Sequence, residues 1–170
     1  MGISGFEPVY VVGADAIRRE HGARLAALVG RRLTGSALVR YAEDEGVLAD
    51  CPVVLDFEGV RVELCHHRFD ELSIGWNTID TTAPVTGWEW FAFTPRWSHG
   101  DERLAPLLGE ELREVALLAS RPTTPDLAVD TVTVEFVFAA GSLLIVNGLD
   151  ENRVEVGVPH PDLVRHPLRP

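Results

Sequence analysis

Three groups of side chains in this sequence have the types and spacing to do chemistry. Cys65-His66-His67 brings a thiol and two imidazoles together, the donors of a soft-metal site. If the segment is a strand, Cys65 and His67 share its polar face and His66 closes the core face. Two ligands do not make a structural zinc site, and no second Cys/His pair stands at ligand spacing. The cluster reads as a strand end with a satisfied histidine, and no metal or cofactor is expected. Asp70-Glu71 and Asp150-Glu151 are paired carboxylates of the kind that bracket a scissile bond or a cation. An aspartate that opens a turn and bonds its own backbone gives the same pattern. The third group is aromatic and acidic: Trp76-Asn77-Thr78-Ile79-Asp80 and Gly87-Trp88-Glu89-Trp90-Phe91. Tryptophan beside acid suits a basic partner, which makes Trp76, Asp80, Trp88, Glu89 and Trp90 the candidate binding surface. The competing reading makes Trp88, Trp90 and Phe91 core residues. Gly-x-Ser-x-Gly, Gly-x-Gly-x-x-Gly and phosphate-cradling loops are missing, and His99, His160 and His166 stand alone.

The charge points the same way as the tryptophans. The 170 residues carry 26 acidic and 15 basic side chains, a net −11, and every basic one is arginine. Such a surplus repels a phosphate backbone, so nucleic acid is not an expected partner, and it steers encounter with a basic protein. Cys51 and Cys65 are expected to be reduced, on opposite faces of their sheet. No apolar run approaches the roughly 18–20 residues that cross a bilayer, and Met1 to Tyr10 has no basic cluster, so a soluble cytoplasmic protein is expected.

The elements that must position these groups follow from an internal repeat. Arg24-Leu25-Ala26 and Leu28, Gly30, Leu33, Ala37 and Leu38 recur 79 residues later as Arg103-Leu104-Ala105 and Leu107, Gly109, Leu112, Ala116 and Leu117. Further on, Val53 to Gly59 faces Val134 to Gly141, and Phe69-Asp70-Glu71 faces Leu149-Asp150-Glu151. Two units, about 14–80 and 98–157, are expected to pack about a pseudo-two-fold axis as one domain. Each begins with a helix, Ala14 to Val29 closed by Gly30, and a shorter one at Asp101 to Leu108 that contains Pro106. Arg31–Tyr41 and Glu110–Ser120 follow. The second alone has helical spacing, but Thr34-Gly35-Ser36 in the first favours strand for both.

Two hairpins come next. In the first, Val53, Leu55, Phe57, Val60, Val62 and Leu64 alternate with Asp56, Arg61 and Glu63, which predicts one wet face. In the second, Val134, Phe136, Phe138, Leu144 and Val146 form one face, and Val137, Leu143 and Ile145 make the other apolar too. The cover for that extra face is expected to be the N-terminal helix; a second copy of the chain is the other option. Short strands close the units at Leu72–Thr78 and Arg153–Val158, and the proline-rich tail 159–170 is an extended strap. The fold class is α+β: a duplicated antiparallel, barrel-like sheet core with one main helix and one shorter helix.

The runs Val53-Val54-Leu55-Asp56-Phe57-Glu58-Gly59, Trp76 to Asp80, and Asn147-Gly148-Leu149-Asp150-Glu151-Asn152 resemble those of small bacterial proteins with the same hairpin and Leu-Asp-Glu-Asn turn. In size and acidity the chain resembles immunity proteins that neutralise toxins; the resemblance implies no particular site residue. The expected function is a non-enzymatic, acidic, immunity-type or regulatory partner of a basic protein, as monomer or homodimer. The alternative is a small-molecule binder or enzyme with a pocket between the repeats, using Asp70, Glu71, Asp150 and Glu151.

Overall fold

The computed structural model describes residues 2–87, 93–120, 131–149 and 151–169. Eleven strands form two antiparallel sheets, consistent with the α+β class. The first sheet contains β1 (Tyr10–Val12), β2 (Leu33–Tyr41), β3 (Val53–Phe57), β4 (Val60–His67), β5 (Glu71–Trp76) and β6 (Pro95–His99), in the order β1-β5-β4-β3-β2-β6. The second contains β7 (Glu114–Ser120), β8 (Val132–Phe138), β9 (Gly141–Asn147), β10 (Asn152–Gly157) and β11 (Leu163–Leu168), in the order β10-β9-β8-β7-β11. Each sheet is open, so the expected barrel-like closure is replaced by two layers.

Their inner faces share one core. Phe57 of β3 stacks on Phe136 of β8 at 5.4 Å between ring centroids, with Phe138 at 6.5 Å. Helix α1 (Ala14–Ala26) is shorter than its pattern predicts. It buries Ile17, Leu25 and Ala26 in this same core and packs chiefly on β7, β11 and β1. The second helix is a short 3-10 turn, Glu102–Leu107, because Pro106 has no N–H to give and Asp101 caps the turn through the Arg103 N–H.

β2 and β7 begin side by side. The Gly30 N–H donates to the Leu112 carbonyl (2.8 Å) and the Gly109 N–H to the Leu33 carbonyl (2.8 Å). The Leu33 N–H donates to Glu110 (3.1 Å) and the Leu112 N–H to Arg31 (2.8 Å). Gly30 and Gly109 both have positive φ, 90° and 81°, which glycine adopts at no steric cost.

Four expectations are corrected. The Ala139-Ala140 turn pairs Phe138 with Gly141 and Phe136 with Leu143. Leu143 and Ile145 therefore join Val134, Phe136 and Phe138 in the core, while Leu144 and Val146 share the outer face with Val137. Val137, Leu143 and Ile145 thus form no common surface for a second copy, and α1 lies on the core side rather than over that outer face. The first hairpin's polar face is not simply wet: a second apolar layer of Ile3, Ala37, Val39, Leu48, Cys51, Val54, Ile79 and Val85 lies on it. That layer is roofed by the N-terminal segment, whose Gly2 exchanges two backbone bonds with Thr86. Third, residues 163–168 of the tail form a strand. Pro167 is tolerated because β11 is an edge, and Leu168 is buried. Finally, Cys51 packs in the outer layer and β4's alternation puts Cys65 on that same side, not the opposite one; both are free thiols. Burial first, then the nearby Cys65, pushes the Cys51 thiol up to about 12, so it stays protonated and unreactive.

Candidate functional site

Of the expected partner surface, the described residues include Trp76 and Asp80, which lie on opposite sides of the first sheet. Trp76 ends β5 half-buried against the core, its Nε1 donating to His21 Nδ1 at 3.5 Å and the Arg24 guanidinium 4.5 Å from its ring centroid. Burial lowers the pKa of His21, which suits its role as a neutral acceptor here. Asp80 lies on the other side of the sheet, beyond Ile79 of the outer layer. Its carboxylate is tied into a turn by the Thr82 N–H (2.9 Å) and hydroxyl (2.7 Å), which hold its pKa down. Trp88, Glu89 and Trp90 lie outside the described residues.

The acid pairs behave similarly. Glu71 is engaged by His67 Nδ1 (2.8 Å) and by Arg68 (3.3 Å), and Asp70 sits in the β4–β5 turn. That turn docks on the second sheet: Asn147 Nδ2 donates to the Arg68 carbonyl (2.8 Å) and the Thr131 hydroxyl to that of Phe69 (2.6 Å). Glu151 is exposed, and Asp150 lies outside the described residues. Among the described residues no three His, Cys, Asp or Glu side chains gather as a metal site, and no helix is long and apolar enough to cross a membrane.

His66 closes the core face of β4 and links the sheets. Its N–H donates to Asn152 Oδ1 (2.7 Å), and its ring nitrogens lie 3.1 Å from that same oxygen and 2.9 Å from the Val132 carbonyl. The Asn152 orientation is fixed because Nδ2 donates to the carbonyls of Ala49 and Cys51, each at 3.0 Å. Burial pushes the imidazole pKa down and outweighs the two acceptors that pull it up. This is a structural latch with both polar atoms of the Asn152 side chain in use.

Two arrangements remain open to partners. The first is acidic. Asp44 and Asp50 from the β2–β3 connection and Glu151 from the β9–β10 turn all act on the Tyr41 hydroxyl, raising its pKa together with partial burial, the largest cause. Of the nearby cations, Arg40 donates to Asp101 (3.0 Å) and Arg96 pairs with Glu45, while Arg153, just after the β9–β10 turn, is exposed. Residues 44, 50 and 151 come together only because the Asn152 latch brings the second sheet's turn to Ala49 and Cys51. Sequence spacing alone could not show that.

The second is a cavity of about 430 Å³ on the outer side of the first sheet. Its floor is Gly35, Ala37, Val54, Asp56 and Arg61, and Thr34, Thr81, His99 and Leu108 stand around it. The bulge between Leu33 and Gly35 places a residue without a side chain opposite Asp56, which opens the floor. Asp56 Oδ1 accepts from the Thr34 hydroxyl (2.8 Å) and the Gly59 N–H (2.8 Å), which aims the carboxylate toward the turn. Arg61, half-buried, forms no side-chain hydrogen bond or ion pair among the described residues, although its charge reaches Asp80. Sequence reasoning saw Asp56 and Arg61 only as a wet strand face. A glycine in β2 beside two facing charges was the available signal.

The chain matches no protein-family model, no curated protein and no solved structure. Its function is therefore argued from these two arrangements.

Proposed function

We propose that this protein is a non-enzymatic binding module whose acidic face engages a basic protein, as an immunity-type or regulatory partner does. The observation that carries the reading is that the Asn152 N–H bond to the Ala49 carbonyl (2.8 Å) brings Glu151 next to Asp50, and the Tyr41 N–H bond to the Gly46 carbonyl (2.9 Å) sets Asp44 in the turn after Tyr41, while Arg40 and Arg96 are already bonded to carboxylates. With a net charge of −11 behind it, that face attracts a cationic surface and gives the contact an aromatic centre. The framework is a duplicated unit with pseudo-two-fold symmetry. What supports this is the run of identities at an offset of 79, the order β2-β3-β4-β5 repeated as β7-β8-β9-β10, and the reciprocal backbone bonds of Gly30 with Leu112 and Gly109 with Leu33.

The test is affinity capture from host lysate with the native chain and with the Asp44→Asn/Asp50→Asn/Glu151→Gln variant. One basic protein held stoichiometrically by the native chain, weakened by salt and lost by the variant, is the expected result. Equal retention by both chains overturns the reading.

A further inference from the structure

We propose that the cavity over β2, β3 and β4 is a binding site for a small zwitterionic carboxylate of the α-amino-acid class, independent of the acidic face. The argument starts from Arg61. Arg40, Arg96, Arg103 and Arg165 are bonded to carboxylates, but this half-buried guanidinium faces a cavity and has no bonded partner among the described residues. A planar guanidinium left free in a concave site is the usual receptor for a carboxylate, which it takes through two parallel hydrogen bonds.

The rest of the cavity narrows the ligand. Asp56 is the direct cross-strand partner of Arg61, which puts their Cβ atoms about 5 Å apart. The Thr34 hydroxyl and the Gly59 N–H both bond to Asp56 Oδ1, so Oδ2 is available to a donor. One positive and one negative group at that separation match the ammonium and carboxylate of one small molecule. The whole-protein charge makes the same selection. A field set by −11 opposes a simple anion such as phosphate, with Asp80 close to Arg61, whereas a zwitterion carries no net charge and meets no such barrier. Thr34, Thr81 and His99 around the rim supply further donors and acceptors, and Leu108, an exposed leucine, gives the ligand's side chain an apolar wall. About 430 Å³ lies at the small end of the range for ligand sites.

The experiment is ligand-observed NMR with the twenty proteinogenic L-amino acids, followed by titration of those that bind. The matched probes are the N-acetyl and methyl-ester forms and inorganic phosphate. At least one free amino acid is expected to bind. Acetylation and esterification should each weaken it by about tenfold or more, the loss of one charge-assisted contact. Arg61→Gln should do the same. Gly35→Val, which adds bulk to the cavity floor at a position with ordinary φ and 3.8 Å of clearance to Asp56 Cβ, should abolish binding with the melting temperature held. No binding by any of the twenty at 10 mM (roughly the weakest useful affinity) overturns the proposal. So does binding that survives both ligand modifications, or phosphate binding as tightly as the amino acid. The ligand modifications keep the test decisive even if a variant fails to fold.

Discussion

Replacing Asn152 with alanine tests the inter-sheet latch. The native side chain accepts from the His66 N–H at 2.7 Å and donates to the Cys51 carbonyl, both buried, and to the partly buried carbonyl of Ala49. Alanine removes these three bonds and the 3.1 Å contact with the His66 ring at once. The Ala49 carbonyl keeps a partner, the Asn152 backbone N–H at 2.8 Å, but the His66 N–H loses its acceptor and the Cys51 carbonyl loses one donor. A buried polar group left without a partner costs about 1–3 kcal/mol. The His66 N–H, together with the bonds lost to the Cys51 and Ala49 carbonyls, gives a destabilisation of about 3 kcal/mol. For a chain of this size that is a fall in melting temperature of roughly 6–12 °C. Urea unfolding followed by tryptophan fluorescence and by far-UV circular dichroism measures it, with coincident transitions as the check on two-state behaviour. A loss below about 1 kcal/mol would refute the reasoning, because it would mean that water reaches these groups or that Asn152 is not held as described.

Further outcomes follow from other sites. Burial lowers the folded-state pKa of His66 below its ordinary 6.5, so the unfolded chain binds more protons; stability should fall as pH drops below 6.5, and His66→Gln should flatten that part of the profile. Gly75→Ala would place its Cβ against Glu63 Oε2, which is pinned by Thr78 and Ile79, so a loss of about 1–3 kcal/mol is expected in chemical denaturation even though glycine-to-alanine usually favours a strand. Asp101, buried beneath Arg103 and Arg40, should cost about 2–3 kcal/mol when changed to Asn, measured in the same way near neutral pH. The Arg103 bonds hold its carboxylate below 3.8, so its contribution is present above that pH and disappears as the pH falls further.

Local patterns in the sequence were sufficient for the first hairpin and the start of α1. Val53, Leu55 and Phe57 alternate, and Glu58-Gly59 supplies two positive φ angles (51° and 83°), the geometry of a tight two-residue turn. The second hairpin was misread by one residue because Ala139-Ala140 carries no turn signature, and a slip of one inverts every side chain. β11 was hidden by Pro159, Pro161 and Pro167, whose meaning depends on whether the strand lies at an edge, a property of the sheet and not of the segment. Glu63 looked like a solvated charge; its burial depends on a roof contributed by residues 78 and 79. The cavity was invisible for the same reason. Arg61 and His99 are far apart in the chain, and only the central position of β2, between β3 and β6, brings them to one site.

The junction of β2 and β7 bears on how the chain is made. On a ribosome that adds roughly 5–20 residues per second, the first sheet emerges several seconds before the strands that cover it. Throughout that interval Leu33, Leu55, Phe57 and Leu64 have the α1, Val11 and Leu72 part of the core available, but not yet Val134, Phe136 and Ile145. The backbone groups of Gly30, Arg31 and Leu33 also wait for partners that have not yet been synthesised. Because the bonds at the junction are reciprocal, the second half of a neighbouring nascent chain offers the same partners as the chain's own.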